Sequence, residues 1–261
     1  MNTTITLSTP PDNLQRAEAY RLPIAHMAYQ IGAGFRLLRA NIPPSVQGGL
    51  MVLGDSGMPA SLDSATASPG ALAAEVVQEC VSRGYRGVVL AFSHVSPTLR
   101  EVVHHLSAHL REMGAKLYLP EAYARESEWA NILLSTAMSG GSLATRLDET
   151  VRAFGRARIC LDIERVRMDF CLPTESGEGF RLSAEQFYAL VEAYRPGGYF
   201  SRDLCAYYFT YYDHHGSHFV LYDDAASIRE KIAIAQRLGI EQAMLLYPEV
   251  EDILPAVLGT M

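Results

Sequence analysis

Two carboxylates stand two residues apart in Leu161-Asp162-Ile163-Glu164, at the end of a short apolar run. If that run is a strand, alternation puts both on the same side of it, a pairing suited to general acid–base work. Polar residues close other apolar runs in the same way: Asp55, Ser93, Glu121, Ser139 and Glu249. His105 and His109 are one helical turn apart, but the zinc-protease pattern His-Glu-x-x-His is absent. A solvated helix face explains them more simply. Asp213-His214-His215, with His218 nearby, falls between two β-prone runs, where a polar hairpin tip is the default. No Gly-x-Ser-x-Gly elbow is present. The four cysteines, Cys80, Cys160, Cys171 and Cys205, are far apart in apolar segments and lack zinc-like spacing. They read as reduced, buried thiols. No metal and no cofactor is expected.

The elements that must position these groups alternate between strand and helix. Short apolar runs lie at Gly49–Leu53, Gly87–Phe92, Leu117–Leu119, Ile132–Leu134, Ile159–Leu161 and Ala243–Tyr247. Runs apolar at every position suit parallel strands buried on both faces. Helices are predicted over Ala71–Arg83, from Ser96-Pro97 to Met113, from Leu143 to Phe154, over Ser183–Tyr194 and over Ala225–Leu238. Ser or Asp precedes several of these, and Gly84, Gly114, Gly155 and Gly239 stop four of them. Ser56–Pro69 and Met168–Gly179 read as loops, and Tyr207–Tyr212 with His218–Tyr222 as a hairpin.

Strand–helix repetition predicts a parallel sheet covered by helices. Polar strand ends and the lack of a Gly-x-Gly-x-x-Gly turn favour a (β/α)8 TIM-barrel-like fold over an open doubly wound sheet. One domain spanning 1–261 is expected, with a polar leader at 1–21 and a hairpin insertion at 195–222 before the last helix and strand. Only Leu22–Arg39 is left to supply the first two strands. The barrel is therefore expected to be incomplete or remodelled at its N-terminal side.

Bulk properties exclude several functions. A chain of 261 residues, 49% hydrophobic, can bury one large core. Its net charge of −7 argues against nucleic acid as a partner. No apolar run approaches the roughly 20 residues of a membrane span. The start lacks the charged and apolar blocks of a secretory signal, so a cytoplasmic location is expected.

Arg83-Gly84-Tyr85-Arg86-Gly87-Val88-Val89-Leu90-Ala91-Phe92-Ser93 is similar to the fourth barrel strand of family 18 glycoside hydrolases, most closely the spore-cortex branch. In that family the strand reads Gly-Tyr-Asp-Gly-Val-x-Ile-Asp-Phe-Glu. Arg158–Pro173 resembles its seventh-strand segment. His218–Tyr247 resembles its closing segment, through Tyr222-Asp223-Asp224, Ser227-Ile228 and Lys231. The resemblance implies cleavage of N-acetylated sugar polymers with the substrate's acetamido group as nucleophile. The family's proton donor would fall on Ser93 and its acetamido-orienting Asp on Ala91. A hydroxyl is too weak an acid for the first role, and Ala91 can orient nothing. The sixth-strand Asp is also missing, and Tyr247 stands where the family carries a sugar-stacking Trp.

A rival alignment makes Leu161–Glu164 the fourth strand, with Asp162 assisting and Glu164 as acid; the bland alternative pairs both with Arg165 or Arg167. Three readings follow. The leading one is a catalytically degenerate barrel whose strand-end cleft holds an N-acetyl sugar or peptidoglycan fragment. Asp55, Ser93, His94, Glu121, Tyr123, Asp162, Glu164, Tyr247 and Glu249 would line it. The second is a residual glycosidase with Glu164 or Glu121 as acid. The third is a homo-oligomeric scaffold built on the tyrosine-rich hairpin, whose Tyr207, Tyr208, Tyr211, Tyr212 and Tyr222 could stack on sugar or on protein.

Overall fold

The computed structural model describes residues 3–43, 45–58, 68–173, 179–214 and 216–259. Eight parallel strands form a closed ring: β1 (Thr4–Thr9), β2 (Ile24–Ile31), β3 (Leu50–Gly54), β4 (Gly87–Ala91), β5 (Lys116–Pro120), β6 (Asn131–Ser135), β7 (Ile159–Ile163) and β8 (Gln242–Leu246). The ring closes because β1 pairs on both sides, Thr4 through Ser8 with Gln242 through Leu246 and Leu7 through Thr9 with Ile24 through His26. The barrel is thus complete at its N-terminal side, and the segment expected as a polar leader supplies its first strand. Thr4-Ile5-Thr6-Leu7-Ser8-Thr9 hid itself by alternation. Leu7 packs outward into the helix layer, while hydroxyl residues take the inward positions. Numbered this way, Gly87–Ala91 is the fourth strand and Ile159–Ile163 the seventh, which removes the rival alignment.

Alternation divides each strand between two cores. Leu50, Val52, Val89, Tyr118, Cys160 and Met244 fill the barrel interior. The intervening residues, such as Leu53, Leu90, Leu119, Leu134 and Leu161, pack outward beneath the helices. The principal helices begin where the sequence places caps. Ser68, Ser96 and Ser142 accept from backbone N–H groups at the starts of α2 (Pro69–Ser82), α3 (Pro97–Glu112) and α4 (Leu143–Phe154), after a short α1 (Leu14–Glu18). α3 buries Leu99, Val102, Val103, Leu106 and Leu110, the stripe that its three- and four-residue spacing predicts. Among the described residues, no helix is long and apolar enough to cross a membrane.

Between β7 and α6 (Ala225–Arg237) the chain builds more than a hairpin. Five antiparallel strands run in the order Phe180–Arg181, Arg167–Leu172, Gly216–Tyr222, Ala206–Asp213 and Tyr199–Ser201, with α5 (Ala184–Tyr194) on one face. Met168–Leu172, the start of the loop expected over Met168–Gly179, belongs instead to the strand Arg167–Leu172, whose alternating Arg167, Asp169 and Met168, Phe170 suit a sheet with two different faces. The loop expectations at 59–67 and 174–178 lie outside the described residues. Cross-strand stacking uses much of the tyrosine cluster: Tyr207 lies on Tyr222 and Tyr208 on Phe219.

One buried group locks this sheet to the barrel. Asp223 accepts from Lys231 Nζ at 2.6 Å, Ser227 Oγ at 2.8 Å and the Val166 N–H at 3.0 Å. Both ionic partners are fully buried at the side chain. Arg165 donates to the Asp223 carbonyl and the Glu249 carbonyl. Replacing Lys231 by Ala leaves a buried carboxylate without its cation, so Lys231→Ala is expected to lose roughly 3–5 kcal/mol of stability. Urea unfolding followed by circular dichroism measures this, and a loss below about 1 kcal/mol, the range of exposed pairs, would refute it.

Candidate functional site

The carboxyl ends of the eight strands open into a mouth, and its two sides are chemically unlike. On the β3–β4 side, Asp55 follows the last residue of β3 and is buried. Its oxygens accept from the Ser93 N–H at 2.9 and 3.0 Å and from the His94 N–H at 2.9 Å, and His94 Nδ1 lies 3.0 Å away. Asp55, Ser93 and His94 are therefore brought together, but Asp55 is spent on holding the backbone that leaves β4. Alternation from Val89 inside the barrel puts Ala91 and Ser93 on the inward side, at the mouth and exposed. β4 presents no carboxylate there.

On the β7–β8 side, Asp162 and Glu164 alternate with interior Cys160 and share the inward side of β7. Glu164 accepts from Ser135 Oγ at 3.0 Å and lies 3.9 Å from Arg181. Arg181 also pairs with Glu249. Burial pushes the Asp162 carboxyl up to about 7, and the neighbouring Glu164 and Glu249 add to the effect. Asp162 thus holds a proton in conditions where an ordinary carboxyl has lost it. Three carboxylates and one guanidinium converge where the sequence placed Asp162, Glu164 and Glu249.

Three expected lining residues are elsewhere. Tyr123 is buried in the outer core, its hydroxyl donating to the His94 carbonyl at 2.7 Å. Tyr247 follows Leu246 by one residue and so faces outward, packed against Tyr20 with its hydroxyl 3.2 Å from Glu251. Glu121 lies in the turn after β5 and is tied to Arg146 on α4, at the rim. Arg165, expected as a partner of Asp162 or Glu164, pairs with Asp252 instead.

Sequence reasoning missed the roof. A cavity of about 400 Å³ lies between the ends of β6 and β7 and the face of the inserted sheet, lined by Ser139, Glu164, Arg167, Met168, Phe170 and Arg181, among others. It combines a charged edge with an apolar wall. Arg167 Nε is buried there without a hydrogen-bond partner, which marks polar capacity left open for a ligand. The readable signal was the Arg-Met-Asp-Phe alternation of 167–170. Among the described residues, no group of three or more His, Cys, Asp or Glu side chains is arranged to hold a metal.

No family model matches the chain, and no curated protein does. Solved structures match it over its length. A chitinase from Chromobacterium violaceum superposes with a TM-score of 0.73 at 17% identity, covering 99% of this chain and 98% of that one. The spore cortex-lytic enzyme SleL of Bacillus cereus gives 0.68 at 15%, covering 98% and 74%. A family 18 N-acetylglucosaminidase from Paenibacillus barengoltzii gives 0.68 at 14%, covering all of both chains. The fold is a glycoside hydrolase family 18-like (β/α)8 barrel.

The raised Asp162 carboxyl has a measurable sign. Its folded-state proton is held to about pH 7, whereas the unfolded chain releases it near 4. Its contribution to stability is therefore full below about pH 4 and is lost as pH rises toward 7 and beyond, at up to about 1.4 kcal/mol per pH unit. Asp162→Asn removes this dependence, so the variant gains stability relative to the natural chain as pH rises. Denaturant unfolding of both chains from pH 4 to 8 tests it; a difference that stays flat with pH would sink the assignment.

Proposed function

We propose that this chain binds a saccharide, an N-acetyl sugar or a peptidoglycan fragment, at the barrel mouth without hydrolysing it by the family's chemistry. The observation that carries this reading is β4. Its inward positions at the mouth are Ala91 and Ser93, so neither a proton donor nor an acetamido-orienting carboxylate stands on that strand. The cavity under the inserted sheet supports the binding half. Its apolar wall of Met168, Phe170 and Leu221 suits the flat face of a pyranose, and Arg167, Arg181 and Glu164 offer hydrogen bonds to its edges. The solved structures of similar fold named above include a chitinase and a family 18 N-acetylglucosaminidase.

One observation favours a second reading. Asp162, held up to about 7 beside Glu164, is a carboxyl that can give a proton near neutral pH. In a residual glycosidase Asp162 would then be the donor and Glu164 its partner carboxylate, the reverse of the roles that the family motif would assign to this pair. Glu121 has no such place, being tied to Arg146 at the rim.

Calorimetric titration with chitotetraose and with a disaccharide peptidoglycan fragment, followed by mass spectrometry of the same samples, separates the two. Binding of at least one ligand without cleavage is expected, weakened about tenfold or more by Arg181→Ala, a loss of about 1.4 kcal/mol. Cleavage that disappears in Asp162→Asn while binding persists would overturn the non-hydrolytic reading. Absence of binding to either ligand would overturn the saccharide assignment altogether.

A further inference from the structure

The opposite end of the barrel is open as well. A cavity of about 1170 Å³ enters between the amino ends of the strands, walled by α1 and by the segment leading into β3. Small-molecule sites commonly enclose about 300–1,000 Å³, whereas the amino-terminal face of such barrels ordinarily serves stability alone.

The floor is ordered and polar. Tyr118 Oη donates to Gln242 Oε1 at 2.7 Å, Gln242 Nε2 donates to Asn131 Oδ1 at 3.1 Å, and Asn131 Nδ2 donates to the Leu117 carbonyl at 3.3 Å. Tyr118 and Gln242 line the opening, and these bonds hold them in place. Three cations line the cavity: Arg21, Arg86 and Lys116. None of the three has an ion-pair partner among the described residues. The chain has two lysines: one is sealed against Asp223, and the other is Lys116. Lys116 is exposed at this opening, two residues before the interior Tyr118 on the same strand. Arg21 holds a left-handed backbone, φ 55°, at the lip, a conformation that costs free energy and tends to persist where function holds it. Glu18 and Glu241 also line the cavity, so it offers acceptors for hydroxyl groups alongside its excess of cations.

We propose that this opening is a second small-molecule site, specific for a phosphorylated sugar, with Lys116 and Arg86 on the phosphate and the Gln242–Tyr118 floor on the hydroxyls. It shares no residue with the mouth and stands whatever is bound there. A phosphate dianion is drawn to the cluster of cations, and the carboxylates select against ligands that are anionic throughout.

Glucose 6-phosphate is the probe, titrated calorimetrically into the whole chain at low salt, with glucose and inorganic phosphate as separate arms. Binding is expected, tighter than in either arm and weakened by added salt. Lys116→Ala and Arg86→Ala should each weaken it tenfold or more. Arg111→Ala, which removes the same charge from the exposed side of α3, should leave it unchanged. Equal weakening by Arg111→Ala would reduce the effect to net charge and overturn the site. So would the absence of binding, or unaltered affinity in Lys116→Ala and Arg86→Ala. Inorganic phosphate binding as tightly as glucose 6-phosphate would overturn the sugar specificity. If Lys116→Ala fails to fold, Arg86→Ala decides alone, since the Arg86 side chain is exposed.

Discussion

The carboxylate of Asp223 is the point on which the upper half of the molecule depends. The chain leaves β7 at Val166 and, after a five-stranded excursion, returns at Asp223; the two residues are bonded to each other through backbone and side chain. Lys231 supplies the compensating charge from α6, and Ser227 caps the arrangement. Burying two charges costs several kcal/mol of solvation for each, so the pair is a poor source of stability and a good source of uniqueness. It ties both ends of the inserted segment to each other and to α6. The Tyr-Asp-Asp-x-x-Ser-Ile-x-x-Lys stretch, which carried the most specific resemblance, is thus explained by structure and not by chemistry on a ligand.

With the roof fixed, the mouth divides its labour. Asp55 lies on the side where β4 lacks carboxylates, and it is saturated by the backbone of residues 93 and 94. It holds a loop in shape and has little left to offer a ligand. Across the barrel, Asp162, Glu164 and Glu249 crowd together with a single bridging guanidinium, Arg181. Burial raises the Asp162 carboxyl to about 7, and the like charges of Glu164 and Glu249 add to the effect. The titratable centre of this mouth therefore sits on β7 and β8.

Much of this was legible in the sequence, for local reasons. Strands β3 to β8 are apolar on both faces and stand out from polar surroundings, and the serine caps mark where the helices begin. The pairing of Asp162 with Glu164 followed from alternation alone. The same rule, applied one residue further, places Tyr247 outside, because Met244 and Leu246 already occupy the inward register. Other features depended on partners that no local pattern reveals. Four of the six residues of β1 carry hydroxyls, with Thr4 and Thr6 lining the opening at the amino ends, and only its pairing with β8 and β2 makes it a strand. Tyr123 lies in the core because Phe92 and the His94 carbonyl meet it there. Glu121 belongs to the rim because Arg146 draws it away. The Arg167–Leu172 strand needed Gly216–Tyr222 beside it.

The seam between β1 and β8 also bears on how the molecule is made. On the ribosome, Thr4–Thr9 emerges before every other strand of the barrel, and its partner Gln242–Leu246 comes after all of them. Until then one edge of the growing sheet has no neighbour, and closure must span every strand and helix between the two. Such contacts form late and slowly, and an unpaired edge invites the wrong strand. A first strand rich in threonine and serine, with a single deeply buried leucine, is a poor template for such mispairing. The hydroxyls that disguise it as a leader keep it wetted while it waits for β8.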